Sequence, residues 1–135
     1  MKKFIIIGIV VLVLIIGGVV GFLMLSGGDK APKPVVMNLH NIVEMYSNIA
    51  DEGKILKLEL TIEYTEVEFL ETFTKEDAKI KNTILEYFRN KSFESLTRSN
   101  GQERAREELA EMFIELLKTD STNITNVYFK QFIIQ

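Results

Sequence analysis

The chain has 135 residues, 16 of them basic and 19 acidic, with one histidine and neither cysteine nor tryptophan. That length allows one compact domain and at most an anchor. The lack of cysteine excludes disulfides, thiolate metal sites and cysteine-linked lipid, and the interspersed, net acidic charge argues against nucleic acid, which asks for a basic face.

Residues 4–25 form an unbroken run of 22 uncharged, mostly aliphatic residues, FIIIGIVVLVLIIGGVVGFLML. As a helix at about 1.5 Å per residue it would reach roughly 33 Å, enough for a hydrocarbon core of about 30 Å. A cleavable signal has a shorter apolar stretch, about 7–15 residues, and an A-x-A-like site, so the run predicts a retained transmembrane helix. Lys2 and Lys3 are the only charges before it, which places the tip at residues 1–3 in the cytoplasm and the rest of the chain outside. Gly17 and Gly21 form a G-x-x-x-G, a spacing that lets two membrane helices approach closely. Residues 26–34, SGGDKAPKP, predict a short linker, flexible at its glycines and extended at its prolines. With Lys2 and Lys3 set aside, 14 basic residues face 19 acidic ones, so the outer part carries about −5 and gains little from anionic lipid.

Val35 to Leu39 predicts a short first strand. Ile42, Tyr46 and Ile49 then stand at helical spacing within Asn41 to Gly53. Lys54 to Thr65 alternates strictly, Leu56, Leu58, Leu60, Ile62 and Tyr64 against Lys57, Glu59, Thr61, Glu63 and Thr65. This period of two predicts a strand of an antiparallel sheet with one solvated face. Thr74-Lys-Glu-Asp77 looks like a helix start, continued by Ile80, Ile84, Leu85 and Phe88. Ser92 predicts a cap for a turn carrying Phe93 and Leu96. Asn100 predicts a cap for a long helix with one apolar stripe, Ala105, Leu109, Met112, Phe113, Leu116 and Leu117. Its glutamate-rich polar face suits packing on the sheet better than lying on lipid. A last strand begins near Ile124. On regular alternation Tyr128, Phe132 and Ile134 share one face, and Val127, Phe129 and Ile133 the other. Such a strand is central and covered on both faces, or covered by a neighbouring subunit. The fold class expected is α+β: a single transmembrane helix, then a domain at 35–135 with an antiparallel sheet packed against helices.

No constellation points to catalysis. His40 has no companions at metal-ligand spacing, and no activated nucleophile motif is present. The carboxylate pairs Glu59 with Glu63 and Glu68 with Glu71 could serve glycan acid–base chemistry, but the first sits on the polar side of a strand, where solvated charge is expected. Asn123-Ile-Thr125 matches a glycosylation acceptor. The expectation is a non-enzymatic protein with no cofactor and no metal.

Several segments carry a family likeness: VVMNL at 35–39, LKLELTIEY at 56–64, IKNTILEYFRNKSFESL at 80–96, the glutamate-rich helix after Gly101, and VYFKQFIIQ at 127–135. In that order, behind a basic tip, one span and a linker, they resemble the FliL family of flagellar basal-body-associated proteins. Its closing pattern V-Y-F-x-x-F-[VI]-[VI]-Q is met from Val127 to Gln135, which marks Tyr128, Phe129, Phe132, Ile133 and Ile134 as the family-signature core. Ala78 stands where members often carry proline, and 40–53 is longer and more apolar than the usual loop. The resemblance implies a stomatin/prohibitin-like outer domain at the cytoplasmic membrane, held in the periplasm at the flagellar basal body. It further implies assembly into a ring or partial ring that supports the stator ion-channel units mechanically. The alternative is a general membrane-anchored scaffold or sensor of the same class with no flagellar role.

Overall fold

The computed structural model describes residues 33–135. The span at 4–25, with Gly17 and Gly21, and most of the linker lie outside the described residues. From Val35 to Gln135 the chain is one compact unit. Its elements run β1 (Asn38–Asn48), β2 (Ile55–Tyr64), α1 (Phe69–Lys75), α2 (Asp77–Arg89), α3 (Phe93–Thr97), α4 (Gly101–Leu116) and β3 (Ile124–Ile134). The class is α+β: a three-stranded antiparallel sheet in the order β1-β2-β3, with four helices among the described residues. None of the described helices is long and apolar enough to cross a membrane.

β2 is the regular member, and the alternation of its sequence explains its place. Leu56, Leu58, Leu60 and Ile62 are fully buried, and the helices cover that face. α2 packs over β1 and α4 over β3. From the helices, Phe73, Ile80, Ile84, Phe88, Leu109 and Phe113 are fully buried against them. At about 1.5–3 kcal/mol per buried aliphatic or aromatic side chain, this layer supplies the main driving force for folding.

The two edge strands depart from a period of two, and both departures are bulges. In β1, Val43 and Glu44 together oppose Glu59, so the inward positions become Ile42, Met45, Ser47 and then Ile49. This corrects the helical expectation for 41–53. The inserted residue spaces the inward side chains as a helix would, but the backbone is strand as far as Asn48. A turn follows in which Gly53 adopts φ +76°, a conformation that glycine takes without strain. The apolar insertion noted at 40–53 is thus most of an eleven-residue strand.

β3 carries two bulges, at Thr125 and at Lys130. Its inward positions, opposite the buried face of β2, are Ile124, Val127, Phe129, Phe132 and Ile134. The expected division of faces therefore fails at Lys130: Phe129 and Phe132 share a face, their rings 5.0 Å apart, and both pack near Phe88 at 6.1 and 5.9 Å. Nor is β3 central. It is an edge strand with one face under the helices, while Tyr128 and Ile133 are turned away from them, 37% and 42% exposed.

Among the caps, Ser92 does accept from the Ser95 N–H, at 3.1 Å. Asn100 stands at the head of α4 without a side-chain cap bond. The start expected at Thr74 is displaced, because Thr74 lies inside α1 and its hydroxyl donates to the Leu70 carbonyl at 3.0 Å. α1 itself has no sequence signature; tertiary contact holds it. Phe73 stacks on His40 at 4.5 Å and meets Tyr64 and Phe69 edge-on at 4.9 and 5.4 Å.

Candidate functional site

With the helices on one side, the other side of the sheet is open. Three rows of outward side chains cross it. β1 contributes Leu39, Asn41, Val43 and Tyr46; β2 contributes Ile55, Lys57, Glu59, Thr61 and Glu63; β3 contributes Asn126, Tyr128, Gln131 and Ile133. Leu39 and Tyr46 are each 59% exposed and Val43 is 69% exposed; Val35, Val36 and Met37, just before β1, are more than half exposed too. This apolar stripe borders the free edge of β1. Contiguous exposed apolar surface rimmed by polar groups marks a contact site.

The rim is organised by cross-strand polar contacts. Lys57 pairs with Glu44 at 2.8 Å, and the Tyr46 hydroxyl donates to the same carboxylate. These two bonds hold the Glu44 carboxyl below its ordinary range, the lysine contributing most. Glu63 accepts from the Thr125 hydroxyl at 2.6 Å and from Tyr128 at 3.3 Å. Thr61, buried beneath these groups, donates to Asn41 Oδ1 at 2.8 Å. The two edges themselves are unsuited to pairing with another strand, because each is bulged with a charged residue, Glu44 or Lys130, at the bulge. Contact would therefore use the face, not the edge.

The signature residues divide between the two sides. Phe129, Phe132 and Ile134 pack on the core, while Tyr128 and Ile133 join the open face. Gly17 and Gly21 lie outside the described residues.

The chemical candidates fall apart spatially. His40 is half-buried on the core side of β1, and burial lowers its pKa against an opposing pull from Asp77. Among the described residues no three His, Asp or Glu side chains stand together as a metal would need. Glu63 is engaged by Thr125 and Tyr128, while Glu68 stands at the N-cap of α1 and Glu71 lies in its first turn, both exposed. Asn123 of the acceptor-like tripeptide is fully buried: its Oδ1 accepts from the N–H groups of Thr65 and Glu66 at 3.2 and 3.0 Å, and its Nδ2 donates to Thr119. It ties the exit of β2 to the start of β3 and is closed to a glycan.

Residues 36–135 match the sequence model of the family described as flagellar basal body-associated protein FliL. The chain belongs to that family. No curated protein matches it. The match covers the whole compact unit from Val36 onward, open face and signature strand included. FliL proteins are associated with the flagellar basal body, and this chain shares that assignment.

What sequence reasoning missed is the open face as a unit. Its stripe was divided between a short strand and a helical segment. Eight of the twelve residues from Val35 to Tyr46 are apolar, which was the available signal, and the β1 bulge hid that six of them are exposed together.

Proposed function

We propose that this FliL protein is a non-enzymatic, membrane-anchored component of the flagellar basal body. In this reading its outer domain, of the stomatin/prohibitin-like kind, assembles with further copies and supports the stator units during torque generation. The family match over 36–135 carries the proposal. The apolar run at 4–25 supports the anchor, and Gly17 and Gly21 offer a surface for pairing of anchors. The open sheet face supports assembly, since a single copy leaves it in water. The role is mechanical: copies arrayed at the membrane hold the stator in its engaged form, and no substrate is turned over.

The test is live-cell imaging of a fluorescent fusion at the N-terminus, with and without the stator proteins. The C-terminus is unsuitable for a tag because Gln135 is paired in the sheet. Foci at flagellar bases that disappear without the stator are the expected result. An even membrane distribution, with motility unchanged on deletion, would leave a general scaffold instead.

A further inference from the structure

On the side of the helix layer away from the sheet, α2 and α4 leave a groove of about 580 Å³ between them. Its floor is apolar and adaptable. Tyr87 and Met112 line it, and a shallower extension past Met112 reaches Thr83 and Leu116. Its rim is acidic: Glu86 on α2 faces Glu108, Glu111 and Glu115 on α4, with Asn90 and Lys91 at one end. The one lysine there is already engaged. Lys91 Nζ lies 2.7 Å from Glu108 Oε2, which also accepts from the Tyr87 hydroxyl at 2.7 Å, and the ammonium sits 4.6 Å above the Tyr87 ring. This network closes one end of the groove and fixes the spacing of the two helices. Glu86, Glu111 and Glu115 are left lining an open trough with a methionine at its base.

We infer that this groove docks a cationic amphipathic segment of a partner protein, about two helical turns long, with one or two aliphatic side chains on Met112 and Tyr87 and Lys or Arg against the glutamates. The charge decides among occupants. A second copy brings an outer part of about −5 and another glutamate-rich α4, which the rim repels. Anionic lipid and phosphate are repelled likewise. The floor is what a hydrated metal ion would not use and an aliphatic side chain would. Methionine fits partners of differing shape because its chain is unbranched and its sulfur polarisable, and a helix laid in a groove between two others is a recurrent recognition mode. One wall runs from Thr83 to the end of α2 and on to Lys91, and the other from Glu108 to Leu116, about 12 Å of α4, which sets the length of the segment. The proposal stands on the groove itself and does not depend on the flagellar reading.

The test titrates the full chain in zwitterionic nanodiscs with a labelled helical peptide of 12 residues carrying two Leu at i, i+4 and Lys elsewhere, and with its Glu-for-Lys counterpart. Empty nanodiscs give the lipid baseline. Saturable binding of the Lys peptide alone is expected. Glu111→Lys with Glu115→Lys should weaken it about tenfold, since each reversal replaces an attraction by a repulsion at an exposed rim. Met112→Asn should weaken it without changing charge. Glu71→Lys with Glu94→Lys makes the same net change away from the groove and should leave affinity as it was. If the double reversal on α4 fails to fold by circular dichroism, Glu86→Gln with Glu111→Gln takes its place, with a loss of a few-fold expected. Affinity unchanged by the groove variants, equal loss in the Glu71/Glu94 control, or no saturable binding above empty nanodiscs would each overturn the inference.

Discussion

Ile55 and Gln135 exchange both of their backbone hydrogen bonds, the Ile55 N–H to the Gln135 carbonyl at 2.9 Å and the Gln135 N–H to the Ile55 carbonyl at 3.0 Å. The last residue of the chain is thereby paired with the first residue of the central strand. Chain ends fray unless tied down, and here the tie is a sheet ladder that continues through Ile134, Phe132 and Phe129. Removal of residues 131–135 should abolish the cooperative thermal transition. It withdraws Phe132 and Ile134 from the core, at about 1.5–3 kcal/mol each, together with the end of the ladder, from a domain whose whole stability is of order 5–15 kcal/mol. Retention of a sharp transition in calorimetry would show that β3 is dispensable.

The bulge at Lys130 makes a sharper prediction. Regular alternation from Val127 would turn Ile133 inward and Phe132 outward; the bulge reverses the two. Phe132→Ala should therefore cost about 2–4 kcal/mol, somewhat under a fully buried phenylalanine because the site is only partly closed. Ile133→Ser should change stability by no more than about 0.5 kcal/mol. Chemical denaturation of the two variants decides it, and the opposite ranking would mean an unbulged strand.

These two edge strands also show where the fold was legible in sequence and where it was not. β2 was plain because a central strand with one covered face must alternate, and Leu56 to Tyr64 does so without interruption. The helices at Asp77 and Gly101 were plain because each buries one stripe. β1 was obscured by one inserted residue and β3 by two, of which the one at Lys130 lies at the level of the β1 bulge, near Glu59. An insertion turns steps of two into a step of three, which resembles a helix in Ile42 to Ile49 and a two-sided strand in Val127 to Ile134. α1 was invisible because Phe73 is held by His40 and Tyr64, from β1 and β2, so its stability is not local. The open face was hidden for the same reason as β1.

Gly101 begins α4 where it passes closest to α3. A methyl group on its Cα would stand 2.5 Å from the Ser95 carbonyl oxygen and 2.6 Å from that of Leu96. Both obstacles are backbone, and neither can swing aside. Gly101→Ala should destabilise by about 1–3 kcal/mol through overpacking, despite alanine's better helix propensity. An unchanged melting temperature would mean that α3 moves freely.

Asn123 Oδ1 accepts from two backbone donors at the β2 exit. Asn123→Ala should cost about 1–3 kcal/mol, because the partly buried N–H groups of Thr65 and Glu66 lose that oxygen. Thr65 keeps its bond to the Asn123 carbonyl at 3.0 Å, which sets the loss toward the lower end. Asn123→Asp keeps the acceptor and should be the milder change in urea titration.

Acid should weaken the domain in two stages. His40 is held below its ordinary value by burial, with Asp77 opposing and Lys81 assisting across the β1–α2 contact. The unfolded chain therefore binds the proton first, so this contribution is full above about pH 6.5 and falls as pH drops toward the folded value. Glu108 is held low by Lys91 and then Tyr87; its contribution is present above the unfolded carboxyl value and is lost only at more acid pH, below about 4.5. His40→Phe keeps a ring against Phe73 and should flatten melting temperature between pH 5 and 7, leaving the acid limb in place. A slope that survives in His40→Phe would assign it elsewhere.

The open face predicts a separation between folding and function. Leu39, Val43 and Tyr46 are exposed in a single copy, so Leu39→Ser, Val43→Ser and Tyr46→Ser should each shift stability by no more than about 0.5 kcal/mol. Tyr46→Ser also removes one bond to Glu44, while Lys57 remains to hold that carboxylate. If the stripe is where copies or partners meet, the triple variant should keep its melting temperature and lose its foci at flagellar bases, with motility reduced. Six apolar residues within twelve that the fold does not require to be apolar are explained by contact; foci that survived all three substitutions would move that contact off the sheet and leave the stripe without a role.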